Sequence, residues 1–218
     1  MPVREERVEL ISSGLKLEGR WLAPRQSPGP AAVVCHPHPQ LGGNLDNNVV
    51  LAVAQALAEA GWGALRFNFR GVGLSQGQYD SMVGEVGDVK AALAWVRGRP
   101  EVAPDQVALV GYSFGGLMAL FAAAETKDLS ALALISPMAP EKGFAKDPRL
   151  QPLHGSALPA LACTGDQDAY CPPQALAALQ KLLPCRTRIF PDADHFWSGQ
   201  DHAVAQVVAD FLSPGSGL

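Results

Sequence analysis

The stretch "QVALVGYSFGGLMALFAAAET", residues 106–126, changes its period halfway. It opens as a β-type apolar run, and from Gly115 onward small and apolar residues recur at helical spacing. A strand that turns directly into a helix has little room at the corner, and Gly111, Gly115 and Gly116 supply it. At the corner sits Ser113, the centre of a Gly-x-Ser-x-Gly pattern. Such a turn strains the serine and projects its hydroxyl. The helix that follows aims its first amides and its positive dipole end at that hydroxyl, so the Phe114 N–H is a candidate oxyanion donor. A plainer reading is a glycine-rich turn whose serine only caps the helix.

The same alternation extends along the chain. β-type runs occur at "RVELIS", "LKLEGRWL", "AAVVC", "ALRFNF", "QVALVGY", "ALALIS", "ALACTG" and "RTRIFP". From the third onward, helical patterns separate most of them: "NVVLAVAQALAEAG" (48–61), "GEVGDVKAALAWVRGR" (84–99), "GGLMALFAAAET" and "PPQALAALQKLL", with "HAVAQVVADFL" after the last. This order predicts an α/β fold with a mostly parallel sheet, helices on both faces and right-handed crossovers. The first two runs, joined by "SGLK", predict an antiparallel hairpin at one edge. In such sheets ligands gather outside the C-terminal ends of the strands.

A serine hydroxyl becomes nucleophilic only when a base takes its proton, so a histidine and an orienting carboxylate are required at later strand exits. "DQDAYCPP" after "ALACTG" offers Asp166 and Asp168. Asp168 is the stronger candidate, because Asp166 directly follows Gly165 and can be spent on its own turn. An Asx-turn ahead of a helix cap would explain both without catalysis. "DADHFWSG" after "RTRIFP" places His195 at the last strand exit, beside Asp192 and Asp194. His202 falls inside the final helical run, and His154 lies in "RLQPLHGSALP", so both read as surface or loop residues.

Two rival motifs carry less. His36 and His38 in "VVCHPHPQLGGN" (33–44) are two apart and, on a strand, would share a face and a metal ion. Pro37 and Pro39 distort that geometry, and no further ligand cluster accompanies the pair. Gly71, Gly73 and Gly77 in "RFNFRGVGLSQGQYD" have a G-x-G-x-x-x-G spacing with no helix opening at once, which does not fit a dinucleotide-binding turn.

With 218 residues, 48% hydrophobic and 17% charged, the chain suits one domain over 1–218 that buries about 70% of its extended surface. "SPGSGL" (213–218) reads as a flexible tail. A net charge of -4 without a Lys/Arg cluster lacks the footprint of a nucleic-acid binder. No apolar stretch approaches the roughly 18 residues of a membrane span, and "MPVREERVEL" is charged from residue 4. The expectation is a cytoplasmic protein without nucleic-acid or membrane partners. Cys35, Cys163, Cys171 and Cys185 are expected to be reduced thiols.

The order Ser113, Asp168, His195, together with "HPHPQLGGNLDN", "LRFNFRGVGLSQG", "GDQD" and "DHFW", resembles the α/β-hydrolase superfamily, and within it the small serine hydrolases allied to dienelactone hydrolases. The resemblance runs from about residue 31 to 212. It implies a Ser-His-Asp acyl-enzyme mechanism on a small ester substrate, with no cofactor and no metal. Thioesterase, lactonase or amidase chemistry would use the same triad, and a non-catalytic binding module would use only the fold. Dienelactone hydrolases carry a cysteine where this chain has Ser113, which favours ordinary ester cleavage. In this superfamily the loop after the first parallel strand supplies a second oxyanion amide. Pro37 and Pro39 have no N–H, which leaves His38 first and Gln40 second, with Leu41 beyond. The loop at "RGVGLSQGQYD" shapes the rim, anchored by Arg70. Only "PMAPEKGFAKDPRLQPLHGSALP" fills the place where many members insert a lid, so no substantial lid is expected.

Overall fold

The structure is a computed structural model that describes residues 5–141 and 143–213. Apart from Ser213, the expected flexible tail lies outside the described residues. Among them, no helix is long and apolar enough to cross a membrane.

Eight strands form one sheet in the order β1-β2-β4-β3-β5-β6-β7-β8. β1 (Glu6–Ser12) and β2 (Leu15–Leu22) form the expected antiparallel hairpin at one edge. Ser13 and Gly14 turn it, both at positive φ, the conformation a two-residue hairpin turn of matching twist demands. β2 joins β4 (Gly63–Phe67) antiparallel; β3 (Gly29–Cys35) and all later strands run parallel. β5 (Val102–Tyr112) begins ahead of the apolar run, where Val102 pairs with Gly29 and a register irregularity follows before Ala31.

Side chains of successive strand residues take opposite faces, and each face has its own helices. Val33, Cys35 and Leu109 pack with Val89 and Leu93 of α2 (Val83–Arg97), Leu117 and Phe121 of α3 (Phe114–Glu125), and Leu179 of α4 (Pro173–Leu182). Ala32, Val34, Ala108 and Val110 pack on the other side with Val53 and Leu57 of α1 (Asn48–Glu59) and Val204 and Val208 of α5 (Asp201–Leu212). Each fully buried Val, Leu or Phe contributes roughly 1.5–3 kcal/mol, so the two cores fix the sheet between its helices.

β6 (Leu132–Ile135) and β7 (Ala160–Gly165) are buried throughout, as central parallel strands should be. β8 (Arg186–Phe190) is exposed except at Phe190, because it is the far edge of the sheet. Among the described residues between β6 and β7 there is only loop and a short 3-10 turn, Pro148–Leu153, and these leave the strand exits open to solvent. This is the lidless α/β-hydrolase architecture expected from the sequence.

Candidate active site

The exits of β3, β5, β6, β7 and β8 converge on Ser113. Ser113 has φ +55° and ψ -117°, outside the conformations that L-residues adopt freely. Two close approaches make that corner possible. A β-carbon on Gly111 would lie 2.3 Å from the Gly115 carbonyl oxygen, and one on Gly115 would lie 2.4 Å from that of Cys35. The Ser113 side chain makes no capping hydrogen bond to α3, so the plain cap reading fails. Its Oγ lies 2.9 Å from Nε2 of His195 instead.

His195 reaches Ser113 from the loop after β8. That loop is held by Asp194, whose Oδ1 accepts the Phe196 N–H at 3.0 Å and the Ser198 N–H at 3.3 Å. The Tyr112 hydroxyl donates to the His195 carbonyl at 2.7 Å, which ties this loop to the end of β5. Asp194 therefore has a structural use, as does Asp192, whose Oδ1 accepts from Gln167 at 3.2 Å.

Of the two candidate acids, Asp168 is the one against the imidazole. His195 Nδ1 lies 2.9 Å from its Oδ1 and 3.0 Å from its Oδ2. Asp166 instead accepts the Asp192 N–H at 2.9 Å, spending its carboxylate on the loop. The Asp168 side chain is fully buried, and Oδ1 accepts the N–H groups of Tyr170 (2.9 Å) and Cys171 (2.8 Å). Burial alone would raise its pKa. Hydrogen bonds from His195, Ser136 and the Cys171 N–H, with attraction to His195, outweigh that and hold it below the usual value.

On the other side of Ser113, His38 opens a 3-10 turn, Pro39–Leu41. Its Nδ1 accepts the Gln40 N–H at 3.2 Å, and its carbonyl accepts the Leu41 N–H at 3.0 Å. Both alternative oxyanion donors are thus consumed within the turn. The His38 and Phe114 amides have no protein acceptor among the described residues. The His38 ring packs 4.8 Å from that of Phe114 and 5.4 Å from that of Tyr79, centre to centre. Burial lowers the His38 pKa, partly offset by the charge of Glu85.

His36 lies within this segment but has a different task. It is fully buried; Nδ1 bonds the Pro37 carbonyl at 2.7 Å and Nε2 accepts the Phe69 N–H at 3.1 Å. Burial lowers its pKa to about 4, so the ring is neutral and braces two loops. Its lone pair is occupied by that N–H, which removes it as a metal ligand alongside His38. Among the described residues no group of three or more His, Cys, Asp or Glu could hold a metal ion.

The glycine-rich segment after β4 is a surface loop. Arg70 anchors it through Nε and Nη2 to Asp88 of α2 at 3.0 and 2.8 Å, and its own N–H reaches the same carboxylate at 3.1 Å. His154 and His202 are exposed, as expected. All four cysteines are free, three of them buried.

The open cleft at Ser113 has a volume of about 210 Å³. Leu41, Met138, Tyr170 and Phe196 line it, and among the described residues no Asp, Glu, Lys or Arg does. The sequence reading missed Met138 and Tyr170 as lining residues and Tyr112 and Ser136 as supports. Ser136 and Met138 follow the apolar run "ALALIS", so the strand-exit rule could have flagged them.

Residues 13–147 match the family described as X-Pro dipeptidyl-peptidase (S15 family), which is well over half of the chain. An α/β serine hydrolase homologue from Coxiella burnetii is 33% identical with a TM-score of 0.82, covering 97% of each chain. A Xanthomonas campestris α/β serine hydrolase described as lacking a lid is 30% identical with a TM-score of 0.81, covering 100% of this chain and 99% of the other. An uncharacterized Rickettsia prowazekii protein is 31% identical across 90% of this chain and 84% of its own length. With the sheet order, the serine corner and these matches together, the chain belongs to the α/β-hydrolase superfamily, in the S15 family of serine hydrolases.

Proposed function

We propose that this protein cleaves small, uncharged carboxylic esters through an acyl-enzyme on Ser113. The observation that carries the reading is the unbroken chain Ser113 Oγ, His195 Nε2, His195 Nδ1, Asp168, with links of 2.9 and 2.9 Å. His195 takes the Ser113 proton as Oγ attacks the ester carbonyl, and the imidazolium returns that proton to the departing alkoxide. Water then attacks the acyl-enzyme, giving its proton to His195 and thence to Ser113 Oγ. Asp168 holds the proton on Nδ1 so that Nε2 faces the serine as a base. The oxyanion sits between the Phe114 and His38 amides, and one such donor contributes roughly 3–4 kcal/mol in the transition state.

Two features support a small neutral substrate. The 210 Å³ cleft is below the roughly 300–1,000 Å³ of pockets for drug-sized ligands. A dipeptidyl-peptidase substrate would bring a free ammonium group, and no carboxylate lines the cleft to receive it. Free cysteines suit a cytoplasmic setting.

The test is hydrolysis of p-nitrophenyl acetate and butyrate beside an X-Pro anilide, on the wild-type protein and Ser113→Ala. Expected are ester turnover, little anilide turnover, and a loss of kcat on the order of 10⁶-fold in the variant. Ester turnover unchanged in Ser113→Ala would overturn the reading.

A further inference from the structure

Met138 stands just beyond the end of β6, and its N–H donates to the Ser113 carbonyl at 3.0 Å. The same carbonyl accepts from Gly116 at 3.0 Å and from Leu117 at 3.2 Å, so the β6 exit is tied to the corner that carries the nucleophile. A second open cavity, of about 550 Å³, is lined by Met82, Leu117, Met138, Ala139, Pro140 and Pro148. Its charged members are Glu141 and an ion pair, Asp147 with Arg149 at 2.7 Å. Among the described residues Met138 is the one that lines both this cavity and the catalytic cleft, so the two spaces adjoin there. The Met138 side chain is partly buried and packs on the core cluster that holds Leu117.

On the acyl-enzyme reading above, the reacting carbon carries four groups: Ser113 Oγ, the oxyanion, the departing alkoxide and the acyl chain. The oxyanion faces the amides of His38 and Phe114, and the alkoxide faces His195 Nε2, which protonates it. The oxyanion loop (37–47) and the aromatic pair Tyr170 and Phe196 beside His195 therefore border those two groups. The cleft wall left for the acyl chain is the β6 exit, and the lining residue there is Met138.

We propose that Met138 is a specificity-determining residue: its side chain closes the cleft toward the second cavity and so limits the acyl chain to a few carbons. This rests on the acyl-enzyme reading. A long, unbranched thioether is suited to filling such a gap, and truncation leaves the gap open. The larger, mostly apolar cavity would then receive the chain.

The test is the ratio of kcat/KM on p-nitrophenyl octanoate to that on the acetate, in the wild-type protein, Met138→Ala and the volume-conserving Met138→Leu. The ratio should rise about tenfold or more in Met138→Ala, the worth of burying two further methylenes, and stay near wild type in Met138→Leu. Met82 lines the second cavity but not the cleft, so adding Met82→Trp to Met138→Ala should remove the gain. Should Met138→Ala fail to fold, Met138→Val reads the same ratio. An unchanged ratio in a folded truncation, or a gain that survives Met82→Trp, would overturn the proposal. Binding of octanamide, a neutral acyl analogue, is measured by calorimetry on Ser113→Ala with and without Met138→Ala, and should be about tenfold tighter with it. Equal binding would also overturn the proposal. Binding requires no turnover, so it decides the role of Met138 even if the wild-type protein proves as inactive on esters as Ser113→Ala, the result that sinks the triad reading instead.

Discussion

Two buried side chains carry their charge state as part of their task. Asp168 is held ionised, and the bonds from Tyr170 and Cys171 to Oδ1 survive replacement by an amide oxygen. Asp168→Asn should therefore fold. Its NH₂ would face Nδ1 and drive the ring proton to Nε2, so kcat should fall about 10⁴-fold. A loss below tenfold in steady-state kinetics would contradict the role given to Asp168. His36 is the opposite case. Its folded pKa is lowered from 6.5 to about 4, so the unfolded chain binds a proton first as pH falls. The stability it contributes is complete above 6.5 and is lost progressively between 6.5 and 4. Between pH 7 and pH 5 the wild type should lose about 2 kcal/mol more than His36→Gln in urea unfolding. Equal losses would show that His36 is not the group titrating.

At the scale of elements, the site is a meeting of loops held by their neighbours. The strand-to-helix corner at Ser113 exists because Gly115 lets α3 start directly against the carbonyls of Cys35 and His36 at the end of β3. The rim loop before α2 depends on Arg70, whose guanidinium packs where any side chain on Gly84 would lie. The same loop brings the Tyr79 ring against those of His38 and Phe114, the two residues whose amides are proposed to hold the oxyanion. Arg70→Met would leave the fully buried Asp88 carboxylate with only the Arg70 N–H. It should cost about 3–5 kcal/mol in urea unfolding, because an uncompensated buried charge remains. A cost near zero would mean that the ion pair is dispensable to the rim.

At the scale of the whole molecule, the described residues leave the cleft uncovered, since those between β6 and β7 form only loop and one short 3-10 turn. An ester chain longer than the cleft must then lie on open surface. Turnover should not rise from p-nitrophenyl butyrate to the dodecanoate in kcat/KM, as each methylene left in water forgoes the roughly 0.8 kcal/mol that its burial would contribute. A preference for the dodecanoate would mean that a further apolar surface receives it. By itself, the sequence determined the strand and helix order, the edge hairpin, the serine corner and the candidacy of Ser113 and His195, because periodicity, turn chemistry and the glycine spacing are local properties. Loop position favours Asp168 over Asp166 in the sequence, and only the fold places one carboxylate on the imidazole and the other on an amide of the next loop. His38 was reached by eliminating prolines, and the tertiary structure added that its rival amides are already bonded. Ser136 and Trp197, 61 positions apart, show what a linear reading misses: their hydrogen bond exists because β6 and the loop after β8 come together only in the folded sheet.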